Sequence, residues 1–219
     1  MRDAYFDQLD SIVDELVTMT HEVQEAVARA TQALLTADAE IAEKVISDDA
    51  VIDAARERVE IRSFELLALQ QPVASDLRML VAGLRMVADL ERMGDLSVHV
   101  AKVARLRVPQ VAVPREIVPT IERMAHLAEK MVGTVAGIIA ERDVDGARQL
   151  EEDDEEMDQL RRSSFRLMLD ETWPHGVEPA VDIALLGRYY ERIADHAVSL
   201  ARRVVYLVTG ETVTTVDHL

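Results

Sequence analysis

The sequence predicts an all-α protein of six long antiparallel helices, arranged as two tandem three-helix bundles. Apolar residues recur at steps of three and four along most of the 219 residues. Aromatic residues are only 4% of the chain while Ala, Val, Leu, Glu and Arg are abundant, a composition typical of long packed helices. A Glu-Arg-x-x-Asp motif occurs at 91–95 and again at 191–195, which indicates that one unit is repeated.

The first two helices are predicted from periodicity and from one break between them. Apolar residues spaced by three and four predict a helix over about 3–35. Thr36 or Asp38 then caps the start of a second helix, which extends over about 39–70. These two helices are long, so bundling is the simplest way to bury their apolar sides.

The third helix follows a turn at Gln71-Pro72, because proline cannot continue the second helix. Ser75 or a neighbouring residue is expected to cap the first turn of this helix, which ends near Leu106. Pro109, Pro114 and Pro119 then lie within one short stretch, and this is the clearest break in the sequence.

The second unit repeats the plan of three helices. A fourth helix is expected over about 116–142, followed by a turn at 143–146. A fifth helix reaches about residue 171, a loop at 173–176 connects it to the sixth, and the sixth ends before Gly210.

The predicted domain organisation follows from these breaks. Residues 1–108 form the first three-helix unit and 115–210 the second, with 109–114 as a proline-containing linker and 211–219 as a tail rich in Thr and Val.

Charge and composition exclude several classes of function. The net charge of −17 argues against nucleic-acid binding, which requires cationic residues, and favours cations or a basic protein surface. The chain has no cysteine, so disulfides and thiolate metal sites are excluded. No uncharged apolar run approaches the about 18 residues of a membrane span, and the N-terminus lacks the apolar core of a signal peptide. We therefore expect a cytoplasmic protein that does not insert into membranes.

The repeat aligns acidic residues as well as apolar ones. Shifting the third helix by 100 positions places it on the sixth, so that Glu91 and Asp95 coincide with Glu191 and Asp195. In both copies the glutamate interrupts an apolar stripe, and a small residue, Gly or Ala, follows three positions later. We expect this small residue to let a neighbouring backbone or ion approach closely.

A weaker correspondence, offset by 105, aligns two further acidic pairs. Asp49 and Asp53 coincide with Asp154 and Asp158 near the starts of the second and fifth helices, although the rest of those helices aligns poorly. Residues four apart lie on one helix face, so each pair places two like charges together at a cost in stability. Arginines such as Arg92 and Arg192, protonation or a bound cation must offset that cost.

Three interpretations of these acidic pairs stay open. Isolated pairs are common in a chain with 41 acidic residues and most are solvated helix faces, but four pairs at matching places of a duplication are not. A structural network of arginines and carboxylates is one alternative. The favoured interpretation is metal binding, one pair from each of two adjacent helices supplying four carboxylates per unit. The candidate ligands are Asp49, Asp53, Glu91, Asp95, Asp154, Asp158, Glu191 and Asp195.

Carboxylate ligands select hard cations, so the candidate cofactors are Mg²⁺, Mn²⁺, Fe or Zn²⁺. His99 lies one turn beyond Asp95, but the second copy has Ser199 there, and His196 points about 100° away from Asp195. A packed, hydrogen-bonded role is therefore favoured for His99, and His196 is not favoured as a ligand.

Enzymatic activity is not expected. Di-iron helical bundles use Glu-x-x-His pairs, and no histidine in this sequence has a glutamate three positions before it. The sequence also lacks a phosphate-binding Gly-x-x-x-x-Gly-Lys loop, a His-Glu-x-x-His motif and a cysteine nucleophile. A helical-bundle metalloenzyme or a metal-storage protein stays as the alternative to a regulatory protein.

Three segments, QPVASDLR at 71–78, DLERMGD at 89–95 and YERIADH at 190–196, closely resemble PhoU proteins, the phosphate-specific transport accessory proteins whose actinobacterial members are called PhoY. The resemblance extends over the whole chain and includes the duplicated three-helix plan. One departure is Ala194, where the family often has glycine.

This resemblance implies a cytoplasmic negative regulator of the phosphate-starvation response. Members of the family link the phosphate ABC transporter to a sensor histidine kinase and carry multinuclear Fe or Zn clusters on Glu(Asp)-x-x-x-Asp motifs. The matching positions are the four acidic pairs given above. A phosphate sensor kinase and the transporter ATPase are therefore the expected partners, and apolar residues left on the long helices are compatible with a homodimer.

Overall fold

The structure is a computed structural model that describes the backbone of residues 2–70 and 72–210, and the side chains of these residues except 2–4, 152 and 153. The predicted tail at 211–219 and Gln71 of the predicted turn lie outside the described residues. Every regular element in the described part of the chain is a helix. The helices are α1 Arg2–Thr36, α2 Ala39–Gln70, α3 Ser75–Arg107, α4 Val118–Glu141, α5 Val144–Met168 and α6 Val177–Thr209.

Aspartates at two helix starts explain where α2 and α5 begin. The Oδ1 atom of Asp38 accepts hydrogen bonds from the backbone N–H groups of Glu40 and Ile41, at 2.9 and 3.0 Å. Asp143 caps α5 in the same way, through two N–H groups of its first turn. Such caps satisfy backbone donors that the helix itself cannot. Asp38 was one of the two predicted caps of α2.

Three predicted boundaries differ from the observed ones. The start of α3 has no side-chain cap from Ser75, because Ser75 is already the first residue of the helix and Ala74, with φ of 48°, occupies the N-cap position. Helix α4 begins at Val118 and includes Pro119 in its first turn, where the missing N–H costs nothing. Helix α5 begins inside the predicted turn at 143–146, for which Asp143 is the cap, and ends three residues earlier than predicted.

The packing of the six helices confirms the predicted arrangement. Helices α1, α2 and α3 pack on one another, as do α4, α5 and α6, while α1 contacts α4 and α3 contacts α6 across the two units. Helices α3 and α6 are antiparallel, since Ser199 contacts Asp89 near one end of the contact and Asp182 contacts Arg107 near the other. In this antiparallel register, Gly94 of α3 lies at the level of Ala194 of α6.

One apolar core runs through both units. It includes Leu16 and Met19 of α1, Leu90 of α3 and Met124 of α4, each at most 1% exposed. Tyr190 of α6 is also fully buried and hydrogen-bonded at 2.8 Å to Thr31 of α1, so a polar contact joins the units inside the core. No helix within residues 2–70 and 72–210 is long and apolar enough to cross a bilayer.

Candidate metal centres

Helices α2 and α3 bring the first four candidate carboxylates to one region. Asp49 and Asp53 come from α2, and Glu91 and Asp95 come from α3. The Asp49 carboxylate packs on the backbone of α3 at Gly94, where an added Cβ would lie 3.2 Å from its Oδ1 atom. The glycine between the two acidic residues of α3 therefore permits the close approach that was expected of a small residue.

The four carboxylates of the first unit interact electrostatically. Burial, followed by the charges of Asp53, Asp95 and Glu91, raises the pKa of Asp49 to about 6 against the opposing charge of Lys102. A carboxyl group with three acidic neighbours that each oppose its ionisation belongs to a cluster. We name these four residues the first cluster.

Arginines offset only part of the charge of the first cluster. Arg56 NH1 lies 3.8 Å from Glu91 Oε1, and Arg92 Nε lies 3.9 Å from Glu91 Oε2. Arg92 NH1 is closer to Asp95 Oδ2, at 3.2 Å. Because the Arg56 and Arg92 side chains are 40% and 65% exposed, water and salt screen these pairs and they contribute little.

The second unit repeats the arrangement with α5 and α6. Burial, followed by the charges of Asp195, Asp158 and Glu191, raises the pKa of Asp154 to about 6 against the opposing charge of Arg202. Burial and the charge of Glu191 also raise the pKa of Asp195. Asp154, Asp158, Glu191 and Asp195 thus form a second cluster, as the two sequence offsets predicted.

The two clusters differ in how their glutamate is neutralised. Glu191 is 7% exposed, and its two carboxylate oxygens each lie 2.6 Å from an arginine NH1, one from Arg161 and one from Arg188. A structural arginine–carboxylate network therefore accounts for Glu191. Among the described side chains Glu91 has no arginine closer than 3.8 Å, so the same explanation does not cover the first cluster.

The donor sets fit a hard cation. The first cluster offers four carboxylates with mutual repulsion, and a cation would replace that repulsion with attraction. In the second cluster a cation would compete with Arg161 and Arg188 for Glu191, so the other three carboxylates are the more available ligands. In the part of the chain with described side chains, no three His, Asp or Glu residues already stand as a ready-made coordination shell. Binding would therefore draw the side chains of a cluster closer together. The residues that would hold the ions are the eight predicted ones, Asp49, Asp53, Glu91, Asp95, Asp154, Asp158, Glu191 and Asp195.

The two histidines near the clusters make contacts outside them. His99 stacks on Tyr189 with ring centroids 5.3 Å apart and an angle of 21° between the ring planes. His196 donates its Nδ1–H to Asp89 Oδ1 at 3.0 Å. The contact of His99 is thus a ring stacking rather than the predicted hydrogen bond, and the hydrogen bond of His196 is directed away from the second cluster.

Asp89 organises the contact between α3 and α6 and was not singled out from the sequence. Besides His196, it accepts hydrogen bonds from Ser199 at 3.3 Å and from Arg203 Nε at 2.9 Å. Burial raises its pKa, but the hydrogen bonds from His196 and Arg203 outweigh burial and leave the pKa below its usual value. All three partners are more than 100 positions away along the chain, so the spacing of neighbouring residues could not predict this role of Asp89.

The fold and its two carboxylate clusters define a class, the duplicated helical bundle with one acidic cluster in each repeat. The model of the PhoU domain family matches residues 16–104 and 121–204, one match in each three-helix unit. The chain belongs to the PhoU family.

Two relatives are similar in sequence to this chain over nearly the whole length of both proteins. PhoU homolog 2 of Mycobacterium tuberculosis is 46% identical over 210 residues, which cover 96% of this chain and 99% of that protein. PhoU homolog 1 of Mycobacterium leprae is 45% identical over 96% of this chain and 95% of its own length. Both are named as accessory proteins of a phosphate-specific transport system, and neither name describes an enzyme.

Crystal structures of two more distant relatives have the same fold. The phosphate transport system regulatory protein PhoU of Streptococcus pneumoniae aligns with a TM-score of 0.86 at 26% identity, over 96% of this chain and all of that one. PhoU of Pseudomonas aeruginosa aligns with a TM-score of 0.84 at 28% identity, over 94% of this chain and all of that one.

Proposed function

We propose that this protein is an accessory regulator of a phosphate-specific transport system, and that it acts in the cytoplasm as a negative regulator of the phosphate-starvation response. The observation that carries the proposal is the near full-length match, 46% identity over 99% of a relative named as such an accessory protein. Because the match includes both repeats, it favours the same kind of role over the reuse of one PhoU domain in a protein with a different role.

The mode of action in this proposal is that of an adaptor between the phosphate ABC transporter, through its ATPase, and a sensor histidine kinase. The net charge of −17 supports docking on basic protein surfaces. Exposed apolar side chains also occur at equivalent positions of the two units, Leu77 with Val177 and Val81 with Val181. An adaptor with two similar faces is suited to holding two partners.

The clusters serve this role as metal sites. A bound Mg²⁺, Mn²⁺, Fe or Zn²⁺ would supply positive charge between α2 and α3 and between α5 and α6. The carboxylates would hold it, and the raised pKa values of Asp49 and Asp154 indicate where neutralisation is most needed. Metal binding then fixes the angle between helices rather than supporting a reaction.

Gene deletion tests the regulatory proposal. Loss of the gene should derepress phosphate-scavenging genes in phosphate-rich medium, and a plasmid copy should restore repression. Expression that does not change on deletion would overturn the proposal. A plasmid copy that carries Glu91→Gln and Glu191→Gln separates the regulatory role from metal binding, because repression by a stable variant without metal would remove metal from the mechanism.

The expected partners are tested by affinity capture from phosphate-replete cells, with metal analysis of the same sample. Recovery of the transporter ATPase and of the kinase supports the adaptor, and recovery of neither contradicts it. Glu57→Gln is a suitable control variant, since Glu57 is an exposed acidic residue of α2 outside the cluster.

A second candidate function is that of a metal-storage protein or metalloenzyme of the helical-bundle type. The two carboxylate clusters favour it, because the acidic members of each cluster raise the pKa of Asp49 or Asp154. Elemental analysis combined with a turnover assay separates the candidates. Stable stoichiometric metal without turnover supports the regulator, whereas many exchangeable ions per chain support storage.

We also propose a homodimer, supported by apolar side chains left outside the core. Phe64 and Leu69 of α2 are 59% and 77% exposed, and Leu169 after α5 is 80% exposed. Light scattering at several protein concentrations tests this, and Phe64→Ser with Leu69→Ser should shift a dimer towards monomer. A constant monomer mass at the highest concentration would exclude the dimer.

A further inference from the structure

A cavity between the two units borders the first cluster through Asp95 but is not used by the function proposed above. It has a volume of about 370 Å³ and opens between α3 and α6, where the two helices cross. The residues that line this interunit cavity are Arg92, Asp95, Leu96, His99, Arg192 and His196.

The lining of the interunit cavity follows the internal duplication. Arg92 and Arg192 are equivalent residues, 100 positions apart, and they reach one cavity from opposite units. Leu96 and His196 are equivalent in the same way. The crossing of α3 and α6 therefore focuses two guanidinium groups on one space, in a protein whose net charge is −17.

The guanidinium of Arg192 is available to a ligand. Arg192 is exposed, and within the described side chains no carboxylate forms an ion pair with it. This distinguishes it from Arg188 and Arg161, each 2.6 Å from Glu191. Arg92 is 65% exposed and is paired with Asp95 at 3.2 Å, so a ligand would share that guanidinium with a carboxylate.

The two histidines complete the lining of the interunit cavity. The Nδ1–H of His196 is held by Asp89, whose charge Arg203 also offsets, and this leaves Nε2 as the ring nitrogen without a hydrogen bond among the described residues. The ring of His99 is fixed by stacking on Tyr189. Both imidazoles are therefore positioned by neighbours before any ligand binds.

The two arginines are the groups that recognise a phosphoryl group, and the imidazoles shape the space around them. The planar fork of a guanidinium pairs with two phosphate oxygens at once, and charge-assisted bonds of this kind are among the strongest hydrogen bonds in proteins. The carboxylate of Asp95 disfavours an anion on the Arg92 side. The main contact is therefore expected at Arg192.

We propose that the interunit cavity binds a dianionic phosphate group, either as inorganic phosphate or as the phosphoryl group of a small phosphomonoester. The volume of about 370 Å³ exceeds that of one phosphate ion and leaves room for waters or a small organic substituent. This proposal rests on the cavity alone and does not depend on the regulatory role proposed above.

Calorimetric titration of the full chain in 150 mM sodium chloride tests the site. Inorganic phosphate and glycerol phosphate are titrated separately, with sodium acetate as an anion that lacks a phosphoryl group. Saturable binding of one phosphate per chain, without comparable binding of acetate, supports the proposal. Tighter binding of inorganic phosphate assigns the free ion as the ligand, and tighter binding of glycerol phosphate assigns a phosphomonoester.

Variants locate the binding. Arg192→Gln should weaken phosphate binding by about 10- to 100-fold, the usual effect of losing a charged hydrogen-bond donor. Leu96→Glu, which places a carboxylate in the cavity, should weaken it as well and serves if Arg192→Gln does not fold. Arg85→Gln, an exposed position of α3 outside the cavity, should bind as the unmodified protein does.

Three results would overturn the proposal. The first is the absence of saturable phosphate binding at millimolar concentrations. The second is an equal loss of binding in Arg192→Gln and Arg85→Gln, which would indicate a general charge effect. The third is loss of binding after treatment with a chelator while the helix content stays constant, because phosphate would then be bound to a metal in the clusters.

Discussion

The carboxylate of Asp49 packs so closely on Gly94 that a Cβ at position 94 would lie 3.2 Å from Asp49 Oδ1. The same Cβ would lie 3.0 Å from the Cδ1 atom of Ile52. Glycine costs a helix about 1 kcal/mol relative to alanine, so its use in the middle of α3 requires a reason. The reason is the approach of α2, which brings the two halves of the first cluster together.

Enlarging residue 94 should therefore separate α2 from α3. We expect Gly94→Val to lower the free energy of unfolding by about 1–3 kcal/mol, the usual cost of overpacking a buried contact. Gly137→Ala is the matched control, since Gly137 is an exposed residue inside α4 with no atom within 4 Å of an added Cβ. That control should gain about 1 kcal/mol from helix propensity. Urea unfolding measures both, and a neutral Gly94→Val would contradict the close packing.

The raised pKa of Asp49 predicts how stability depends on pH in the absence of metal. Between the ordinary value of 3.8 and the folded value of about 6, the folded state retains a proton that the unfolded state has released. Stability from this residue is complete below pH 3.8 and is lost as the pH rises towards 6 and above. Asp154, with the same shift, contributes in the same direction.

Removing the charge should remove that effect. We expect Asp49→Asn to stabilise the chelator-treated protein at pH 7 and to reduce the difference between pH 5 and pH 7, because the amide cannot ionise. The same substitution should weaken metal uptake. Urea midpoints at the two pH values measure the first effect, with Glu57→Gln as an exposed control. Identical midpoints for Asp49→Asn and the unmodified protein at pH 7 would show that the cluster carries no repulsion.

The contact between the end of α3 and the start of α6 depends on one buried aspartate. Arg107 Nε lies 2.6 Å from Asp182 Oδ2, and Asp182 is 6% exposed. Asp182→Ala should cost about 1–3 kcal/mol, since it leaves a partly buried guanidinium without its main partner. Glu178, which also contacts Arg107, has a side chain that is 74% exposed, so Glu178→Ala should cost less than about 1 kcal/mol. Equal effects of the two substitutions would mean that burial does not matter here.

The hydrogen bond between Tyr190 and Thr31 has a direction, and substitutions can reveal it. The hydroxyl of Thr31 donates to the carbonyl oxygen of Val27 at 2.9 Å, so the hydroxyl of Tyr190 is the donor to Thr31. Thr31→Val leaves a fully buried phenol without an acceptor and should cost about 1–3 kcal/mol. Tyr190→Phe removes the donor and leaves the bond of Thr31 intact, so it should cost less, about 0.5–1.5 kcal/mol. Denaturation of both single variants tests the order.

The helices and the acidic pairs could be predicted because their causes are local. Apolar periodicity, the Asp38 cap and the prolines after α3 are all read from neighbouring residues, and the duplication doubles each signal. The uncapped start of α3 was missed, because the N-cap position is occupied by Ala74, whose side chain cannot accept a hydrogen bond, and not by Ser75.

Contacts between distant helices could not be predicted from pattern alone. Glu91 and Glu191 occupy equivalent positions in the sequence, yet only Glu191 has two arginines at 2.6 Å. One of them, Arg161, comes from α5, and its reach depends on the angle at which α5 packs on α6. The contacts of Asp89 and the lining of the interunit cavity depend in the same way on the register of α3 against α6. The spacing of residues within one helix does not determine that register.

The antiparallel crossing of α3 and α6 makes this chain equivalent to a homodimer whose two subunits have been joined. In a true homodimer each substitution appears on both sides of the axis, so a contact near the axis has to be compatible with its own copy. Joining the subunits removes that requirement. The first unit can therefore keep Leu96 and His99 where the second has His196 and Ser199. As a result, the interunit cavity can present different side chains to the two ends of a single ligand.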